Sequence, residues 1–268
     1  MIYSLYDTSR VVQLDVVQIF TVRKLFDKLK LSNNFNLVYR GFMAALYIIG
    51  TPIGNLGDIS FRAVETLKKA DLVACEDTRR TLKLLNHLGI KVKTLSCRAR
   101  NEETAAEKAL AALNLGQTVV YATDAGTPAL SDPGAALARM AAAAGHEVIP
   151  IPGPSAFAAL LSVAGGRDKT VVFEGFLSPK PGRRKSRLSE LMSMNAACVL
   201  YESPFRVLKL LMDIAEIDGQ RYVCVGREMT KIHEEFIRGP AAEILEILGQ
   251  RKEQIGEFSL YISGNKFK

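Results

Sequence analysis

From Leu46 onward, short apolar runs alternate with longer amphipathic stretches, and this alternation constrains the fold more than any other feature of the chain. Such runs are typical of buried parallel strands, because helices cover both faces of a parallel sheet. Repetition of strand, helix and strand therefore predicts a mostly parallel sheet with helices on both faces. The apolar runs are "LYIIG" (46–50), "LVACE" (72–76), "VKTLS" (92–96), "TVVYATD" (118–124) and "EVIPI" (147–151).

The amphipathic stretches between these runs have helical spacing. In residues 58–70, Ile59, Ala63 and Leu67 share one helical face, and Asp58 is well placed to cap the helix N-terminus. Most of these stretches end in Gly, which commonly stops a helix. Similar helical patterns cover residues 77–89, 101–116 and 135–145.

A second unit follows, in which strands lie closer together and helices are fewer. We predict strands at 170–176, 197–203, 221–228, 234–239 and 256–263, with helices near 184–194, 205–217 and 241–249. This pattern predicts a mixed sheet with helices. The predicted fold class is α/β with two α/β domains. The predicted organisation is an N-terminal extension outside the core (1–42), an N-terminal domain (43–165) and a C-terminal domain (166–268).

Composition excludes several classes of protein. With 268 residues, 48% of them hydrophobic, the chain can bury two moderate cores. No apolar run approaches the roughly 20 residues that span a bilayer, and no signal peptide is evident, so we predict a cytoplasmic protein without a membrane partner. The four Cys and three His are scattered, so neither a disulfide framework nor a metal site is expected. A net charge of +7 suits a polyanionic partner.

Four loops rich in Gly, Pro, Asp or Thr follow predicted strands of the first unit. Ligands of open α/β sheets bind beyond the carboxyl ends of the strands, and bare loops let backbone groups touch a ligand. Taken alone, each loop is more simply a turn; together at one edge they predict a ligand site. The glycine spacing matches neither the dinucleotide fingerprint nor a Walker loop, which disfavours a nucleotide-binding oxidoreductase. The loops are "GTPIGNLGD" (50–58), "CEDTRR" (75–80), "DAGTPALSDPG" (124–134) and "PIPGPSA" (150–156).

Charged residues near these loops have two interpretations. Helix capping explains Asp77 and Asp132 better than catalysis does, whereas Asp124 is open to either role. In the second unit, the segment 178–187 places five cations around a predicted helix start, where they oppose the helix macrodipole. A phosphate backbone is therefore a candidate partner of this segment, and a solvated surface loop is the alternative.

These motifs, in this order, resemble the tetrapyrrole methylase superfamily (class III S-adenosylmethionine methyltransferases), and within it the ribosomal RNA small subunit methyltransferase I family. The resemblance implies S-adenosylmethionine-dependent methylation of a cytidine 2′-hydroxyl in small-subunit (16S) ribosomal RNA. It also implies a homodimer, acting on the RNA or a ribosomal particle, with the cofactor in a cleft between the two domains. It runs from about Ala45 to Ser263 and rests on "GTPIGNLGD", "CEDTR", "DAGTPALSDPG", "PGPSA", "FEGFL", "YESPFR" and "GREMTKIHEE".

The resemblance also assigns residues to roles. A ribose hydroxyl needs a general base, for which the candidates are Glu76, Asp77, Asp124, Glu228 and Lys231, the lysine only if burial lowers its pKa. Glu76 leads, because capping explains it less well than Asp77. The cofactor-binding candidates are Pro52, Gly54, Asn55, Gly57, Asp58, Asp124, Ala125, Gly126, Thr127, Pro128, Pro152, Gly153, Pro154 and Ser155. The RNA-binding candidates are Arg98, Arg100, Lys180, Arg183, Arg184, Lys185, Arg187 and Arg206.

Two departures from the family pattern keep other functions open. Related sequences tend to carry a His-containing stretch where this chain has "SCRARNEE" (96–103), and His where Phe205 stands. Arg98 and Arg100 would then make phosphate contacts in place of a polar contact. One alternative is methylation of a small molecule such as a porphyrinoid, which needs a large apolar cleft. Another is an RNA-binding protein that has lost methyl transfer.

Overall fold

The computed structural model describes residues 44–129 and 134–264. The predicted extension (1–42) and the predicted turn or cap at Asp132 lie outside the described residues. Within the described ranges, no helix is both long and apolar enough to cross a bilayer.

The first sheet is parallel throughout. Its strands are β1 (Ala45–Ile49), β2 (Leu72–Cys75), β3 (Lys93–Ser96), β4 (Val119–Ala122) and β5 (Glu147–Ile151). They lie in the order β3-β2-β4-β1-β5, so β1 and β4 are central. Leu46 pairs with Val119 on one side and with Val148 on the other. The predicted mostly parallel sheet is confirmed.

Helices cover both faces of this sheet, as predicted. They are α1 (Phe61–Lys69), α2 (Thr78–His87), α3 (Glu102–Asn114) and α4 (Ala135–Ala143). Alternate residues of β4 point to opposite faces. Val120 packs in a cluster with Leu67 of α1 and Leu85 of α2, whereas Tyr121 packs in a cluster with Leu113 of α3 and with α4.

Helix α1 begins later than the sequence pattern predicts. Its N-cap is Ser60, whose Oγ accepts a hydrogen bond from the Ala63 backbone N–H at 3.1 Å. Asp58 was predicted as this cap and is instead the last residue of a 3₁₀ turn, Leu56–Asp58. The correction follows from Asn55, whose side chain accepts from the Gly57 N–H and starts that turn. The turn places Ser60, rather than Asp58, at the helix start.

The second sheet is mixed, as predicted. Its strands are β6 (Val171–Phe176), β7 (Ala197–Glu202), β8 (Tyr222–Arg227), β9 (Glu235–Pro240) and β10 (Phe258–Ile262). Strands β6 and β7 are parallel, whereas β10 runs antiparallel to both β7 and β8, in the order β6-β7-β10-β8-β9. One face is covered by α6 (Pro181–Ser193), α7 (Val207–Asp218) and α8 (Ala241–Gly249).

The opposite face of the second sheet packs against α5 (Ala156–Ala164), a helix that the sequence analysis missed. Its Leu160 and Ala164 are fully buried in a cluster with Val199 and Tyr261. Helix α5 was overlooked because "AFAALLSVA" is apolar on every side and lacks amphipathic spacing. The helix ends at Gly165, in a left-handed conformation. The domain boundary placed near this glycine stays a prediction.

Candidate functional site

The loops that follow β1, β4 and β5 meet at the carboxyl edge of the first sheet. Thr51 and Gly126 exchange two backbone hydrogen bonds of 3.0 Å, which join the first loop to the "DAGTP" loop. The Thr127 hydroxyl donates to the Pro154 carbonyl at 3.1 Å and joins the "DAGTP" loop to the "PGPSA" loop. The three loops therefore form one hydrogen-bonded assembly.

Two positions in these loops require glycine, because the loop backbones approach each other closely there. A Cβ added at Gly50 would lie 2.8 Å from Gly153 Cα, and one added at Gly153 would lie 2.6 Å from the Gly50 carbonyl oxygen. Both distances are shorter than Cβ atoms tolerate, so any larger residue would push the loops apart. The bare sequence thus allows backbone-to-backbone contact between the loops after β1 and β5.

Asp124 connects the loop after β2 to the same edge. Its Oδ1 accepts from the Asp77 backbone N–H at 2.9 Å, and its Oδ2 lies 3.5 Å from Nε of Arg80. Asp77 in turn caps α2 by accepting from the Arg79 N–H at 2.9 Å, so the predicted capping role of Asp77 is confirmed. Asp124, open to either role in the sequence, holds two loops together.

A cavity of about 330 Å³ lies beside this loop assembly. Its volume is within the range of small-molecule sites, about 300–1,000 Å³. One wall comes from the loops of the first sheet and the other from the second sheet. The first wall contains Ile53, Ala125, Gly126, Thr127, Ser155 and Ala156. The second contains Phe176, Tyr201, Glu202, Ser203, Pro204, Met229, Glu257, Phe258 and Ser259.

A smaller cavity, of about 140 Å³, lies where the first loop meets α2. Pro52, Leu56, Arg80 and Asp124 contribute to its lining. Because Asp124 and Ala125 are adjacent in the chain, the "DAGTP" loop borders both cavities.

The predicted cofactor-binding residues divide according to these cavities. Ala125, Gly126, Thr127 and Ser155 line the larger one, and Pro52 and Asp124 the smaller. The other candidates line neither cavity: Gly54, Asn55, Gly57, Asp58, Pro128, Pro152, Gly153 and Pro154.

Two of the residues outside the cavities have clear structural roles. Asn55 caps the 3₁₀ turn of the first loop, and Gly153 allows the close approach to Gly50. Gly54 faces the second sheet, since a Cβ there would lie 2.5 Å from Cγ of Lys231 and 3.1 Å from the Met229 carbonyl oxygen. Gly54 therefore seats the first loop against the loop that follows β8.

The wall from the second sheet was not predicted from the sequence. Tyr201 and Glu202 end β7, and Phe258 and Ser259 begin β10. The rule that ligands bind beyond the carboxyl ends of strands covers β7 but not β10. Strand β10 is antiparallel to β7, so its amino end lies at the edge where β7 ends. The motif "YESPFR" was the available signal.

Glu202 is a buried carboxylate with a complete set of partners. It is 2% exposed, and the Arg206 guanidinium contacts both of its oxygens at 2.7 Å. The Ser203 N–H donates to the same carboxylate at 2.8 Å. The hydrogen bond to Glu202 raises the pKa of Arg206. Arg206 was predicted to bind RNA. In the structure its guanidinium pairs with the Glu202 carboxylate instead.

The basic segment 178–187 is mostly neutralised within the protein. Arg184 is 5% exposed and its Nε lies 2.6 Å from Oδ2 of Asp213, so its predicted RNA contact is corrected: a buried, paired guanidinium is not available to phosphate. Lys185 contacts Glu216 at 2.6 Å. Carboxylates of α7 thus supply the partners that the sequence analysis sought in RNA.

The remaining RNA-binding candidates differ in availability. Arg187 forms a bidentate pair with Glu174 at 2.7 and 2.8 Å. Arg98 donates to the Glu76 carbonyl at 3.3 Å. In contrast, the side chains of three exposed cations contact no charged or polar partner within residues 44–129 and 134–264: Arg100, Lys180 and Arg183.

The proposed catalytic residues differ in their proton affinity. The hydrogen bond from Arg79 holds the pKa of Asp77 well below its usual range, which weakens Asp77 as a base. Partial burial raises the pKa of Glu76, and the nearby charge of Asp124 raises it further. A higher pKa makes Glu76 the stronger base of the two.

Glu228 and Lys231 form a pair on the loop after β8. Lys231 Nζ lies 2.7 Å from Oε1 of Glu228 and 3.0 Å from Oε2 of Glu257, which lines the larger cavity. Burial is the largest single influence on both and acts against their charged forms, but their mutual hydrogen bond, the contacts with Glu257 and the neighbouring charges together outweigh it. The pKa of Glu228 is therefore lowered and that of Lys231 is raised. The condition set for Lys231 as a base, a lowered pKa, is not met. Lys231 stays a cation.

The chain is similar to known proteins over most of its length. Residues 45–245 match the family described as Tetrapyrrole (Corrin/Porphyrin) Methylases. The chain is 45% identical over 219 residues to the ribosomal RNA small subunit methyltransferase I of Borrelia garinii subsp. bavariensis, covering 81% of this chain and 98% of that protein. It is 43% identical over 224 residues to the protein of the same name from Thermotoga maritima, covering 84% of this chain and all of that protein.

Solved structures share the fold at low identity. A cobalt precorrin-4 methyltransferase superposes with a TM-score of 0.61 at 18% identity, over 82% of this chain and 94% of that one. The uroporphyrin-III C-methyl transferase of Thermus thermophilus, complexed with S-adenyl homocysteine, gives a TM-score of 0.59 at 15% identity, over 81% and 97% of the two chains. These likenesses show a common fold.

Proposed function

We propose a function for this chain from one premise: it belongs to the ribosomal RNA small subunit methyltransferase I family of tetrapyrrole (corrin/porphyrin) methylases. The chain is an S-adenosylmethionine-dependent methyltransferase of small-subunit ribosomal RNA. Its target is the ribose 2′-hydroxyl of a cytidine. As the family resemblance implies, it acts in the cytoplasm as a homodimer, on free RNA or on a ribosomal particle.

The larger cavity carries this proposal, because its lining offers both apolar surface and polar groups for the cofactor. Ile53, Met229 and Phe258 offer apolar surface for an adenine ring. The bare backbone of residues 125–127 and the Ser155 side chain offer polar groups for the ribose and amino-acid portions. A volume of about 330 Å³ holds one ligand of this class. When bound, S-adenosylmethionine supplies an electrophilic methyl group on a sulfonium.

The residues of the protein have to position the ribose and accept its proton. Displacement at a methyl carbon depends on in-line positioning, which a rigid assembly of hydrogen-bonded loops favours. Glu76 lines neither cavity, but it directly follows β2 at the carboxyl edge of the first sheet and lies beside Asp124 of the smaller cavity. In this proposal it accepts the 2′-hydroxyl proton, since its pKa is raised while those of Asp77 and Glu228 are lowered. Lys231 remains protonated, and its positive charge stabilises the carboxylate of Glu257.

Exposed cations at the surface bind the RNA backbone. Arg100, Lys180 and Arg183 fill this role best, because no carboxylate among the described residues neutralises them. Arg184 and Arg206 instead stabilise the second sheet and its loops through buried carboxylates.

Methyl transfer from labelled cofactor tests the proposal. Purified protein is incubated with S-[methyl-³H]adenosylmethionine and either small-subunit particles or free small-subunit RNA, and the labelled nucleoside is identified after digestion. We expect 2′-O-methylcytidine. Label on a base, or incorporation only into a porphyrinoid, would replace the proposed substrate. No incorporation into any of these substrates, together with retained RNA binding, would support the alternative of an RNA-binding protein.

A further inference from the structure

We propose that Phe176 and Phe205 form a stacking platform for an unpaired nucleotide, at the mouth of the larger cavity. The inference rests on the proposed function, because it specifies how RNA approaches the same site. It adds that the substrate is a single-stranded segment whose bases stack on protein rings, and not a duplex.

Two large apolar side chains are exposed beside the cavity. Phe176 lines it and is 59% exposed, and its ring packs edge-on against Tyr201 with centroids 5.8 Å apart. Phe205 is 87% exposed and directly follows Pro204, another residue of the cavity wall. More than half of each side chain is exposed, so both rings present apolar surface to a partner beside the same cavity.

One hydrogen bond connects the chain segments that carry the two rings. The Arg206 guanidinium, fixed by the buried Glu202, also donates to the Leu177 carbonyl at 2.9 Å. Leu177 follows Phe176, and Arg206 follows Phe205. The loop after β6 is therefore tied to the loop after β7, which holds the backbone next to both rings in place before RNA binds.

Charge near the platform identifies the occupant. Phe176 ends β6, and the loop after it leads to Lys180 and to Arg183 in the first turn of α6. Both cations are exposed and without a polar side-chain contact in the described parts of the chain. Exposed rings interleaved with free cations match single-stranded nucleic acid, whose bases stack on aromatics while its phosphates meet the cations. A protein partner with an apolar face would leave these two cations unmatched.

Fluorescence binding with a defined probe tests the proposal. The probe is a ten-nucleotide single-stranded RNA with a central 2-aminopurine, whose emission falls on stacking, compared with the same strand in a duplex. We expect wild-type protein to quench the single strand and to bind the duplex more weakly. Phe205→Ala and Phe205→Leu should weaken single-strand binding about tenfold, and Phe205→Trp should retain it. The matched control is Phe61→Ala, since Phe61 is 93% exposed and lines neither cavity.

Each outcome decides the proposal. Equal affinity of Phe205→Ala and wild type, an equal loss in Phe61→Ala, or preferential duplex binding would overturn it. Loss of self-association in Phe205→Ala, with RNA binding unchanged, would assign the rings to a protein interface instead. Methyl transfer measured in parallel separates the two claims. If methyl transfer occurs and Phe205→Ala binds RNA like wild type, only the platform is contradicted. If RNA binding depends on the Phe205 ring but no methyl transfer occurs, only the proposed enzyme function is contradicted.

Discussion

Arg183 and Arg184 are neighbours in α6, and both were predicted from the sequence to bind RNA. We expect substitution of Arg184 to lower stability and substitution of Arg183 to weaken RNA binding. Arg184→Ala leaves the carboxylate of Asp213 buried and without its 2.6 Å partner. Removing one member of a buried ion pair costs about 3–5 kcal/mol. Lys185 Nζ lies 3.8 Å from the other Asp213 oxygen and offsets part of this cost. We therefore expect the free energy of unfolding to fall by about 3 kcal/mol. For a domain of this size, the melting temperature then falls by roughly 6–12 °C.

Arg183→Ala is the matched control, because the two substitutions delete the same side chain one position apart. Arg183 is exposed, so its loss should change stability by less than about 0.5 kcal/mol. It should instead lower the slope of log K against log salt for single-stranded RNA by about 0.7, one phosphate contact. Urea titration and RNA binding at four salt concentrations measure both quantities. Wild-type stability of Arg184→Ala, or a salt slope lowered as much as in Arg183→Ala, would contradict this prediction.

Three further predictions concern the site and the N-terminal extension. Glu76→Gln should lower kcat by about 100- to 10,000-fold. Because the base works deprotonated and burial raises its pKa, the wild-type rate should fall with falling pH at a midpoint above that of an ordinary glutamate, and in the variant this limb should vanish from the pH–rate profile. Gly54→Ala, whose methyl would meet Lys231 Cγ at 2.5 Å, should weaken calorimetric cofactor binding by about 5- to 150-fold, equivalent to about 1–3 kcal/mol of overpacking. Gly249→Ala, with nothing within 4 Å of the added methyl, should bind normally. Deleting residues 1–42 should leave methyl transfer intact in a filter assay, and a collapse in turnover would assign this segment to the catalytic unit.

The positions of the strands were predictable because each strand depends on the composition of its own segment. Continuous apolar runs such as "TVVYA" can only be buried on both faces, and the intervening amphipathic stretches fix where the helices pack. Parallel strands then bring their carboxyl ends to one edge, so it was predictable that the loops of Thr51, Gly126 and Pro154 share that edge. Their direct contacts depend on β1 lying between β4 and β5, which the sequence analysis did not predict.

What escaped prediction depends on contacts between residues distant in sequence. Arg184 was predicted to bind RNA because its partner, Asp213, lies 29 positions later in the sequence. Only the fold shows that the two side chains form an ion pair. The second wall of the cavity needs the antiparallel pairing of β10 with β7, which no local pattern encodes. Helix α5 is apolar on all sides, so its sequence has no amphipathic spacing from which a helix could be predicted. Ser60 displaced Asp58 as a cap because Asn55 starts a turn first.

Calorimetric titration with S-adenosylhomocysteine most directly tests whether the cavity between the loop assembly and the second sheet is the cofactor site. Ala125 is exposed and lines this cavity, so the ring of Ala125→Trp should fill the cavity without disturbing the packing of the core. Ala142→Trp adds the same ring on the exposed side of α4, outside the cavity. We expect one site per chain in wild type and in Ala142→Trp, and no measurable binding in Ala125→Trp. Unchanged affinity in a folded Ala125→Trp protein would place the cofactor elsewhere and contradict the account.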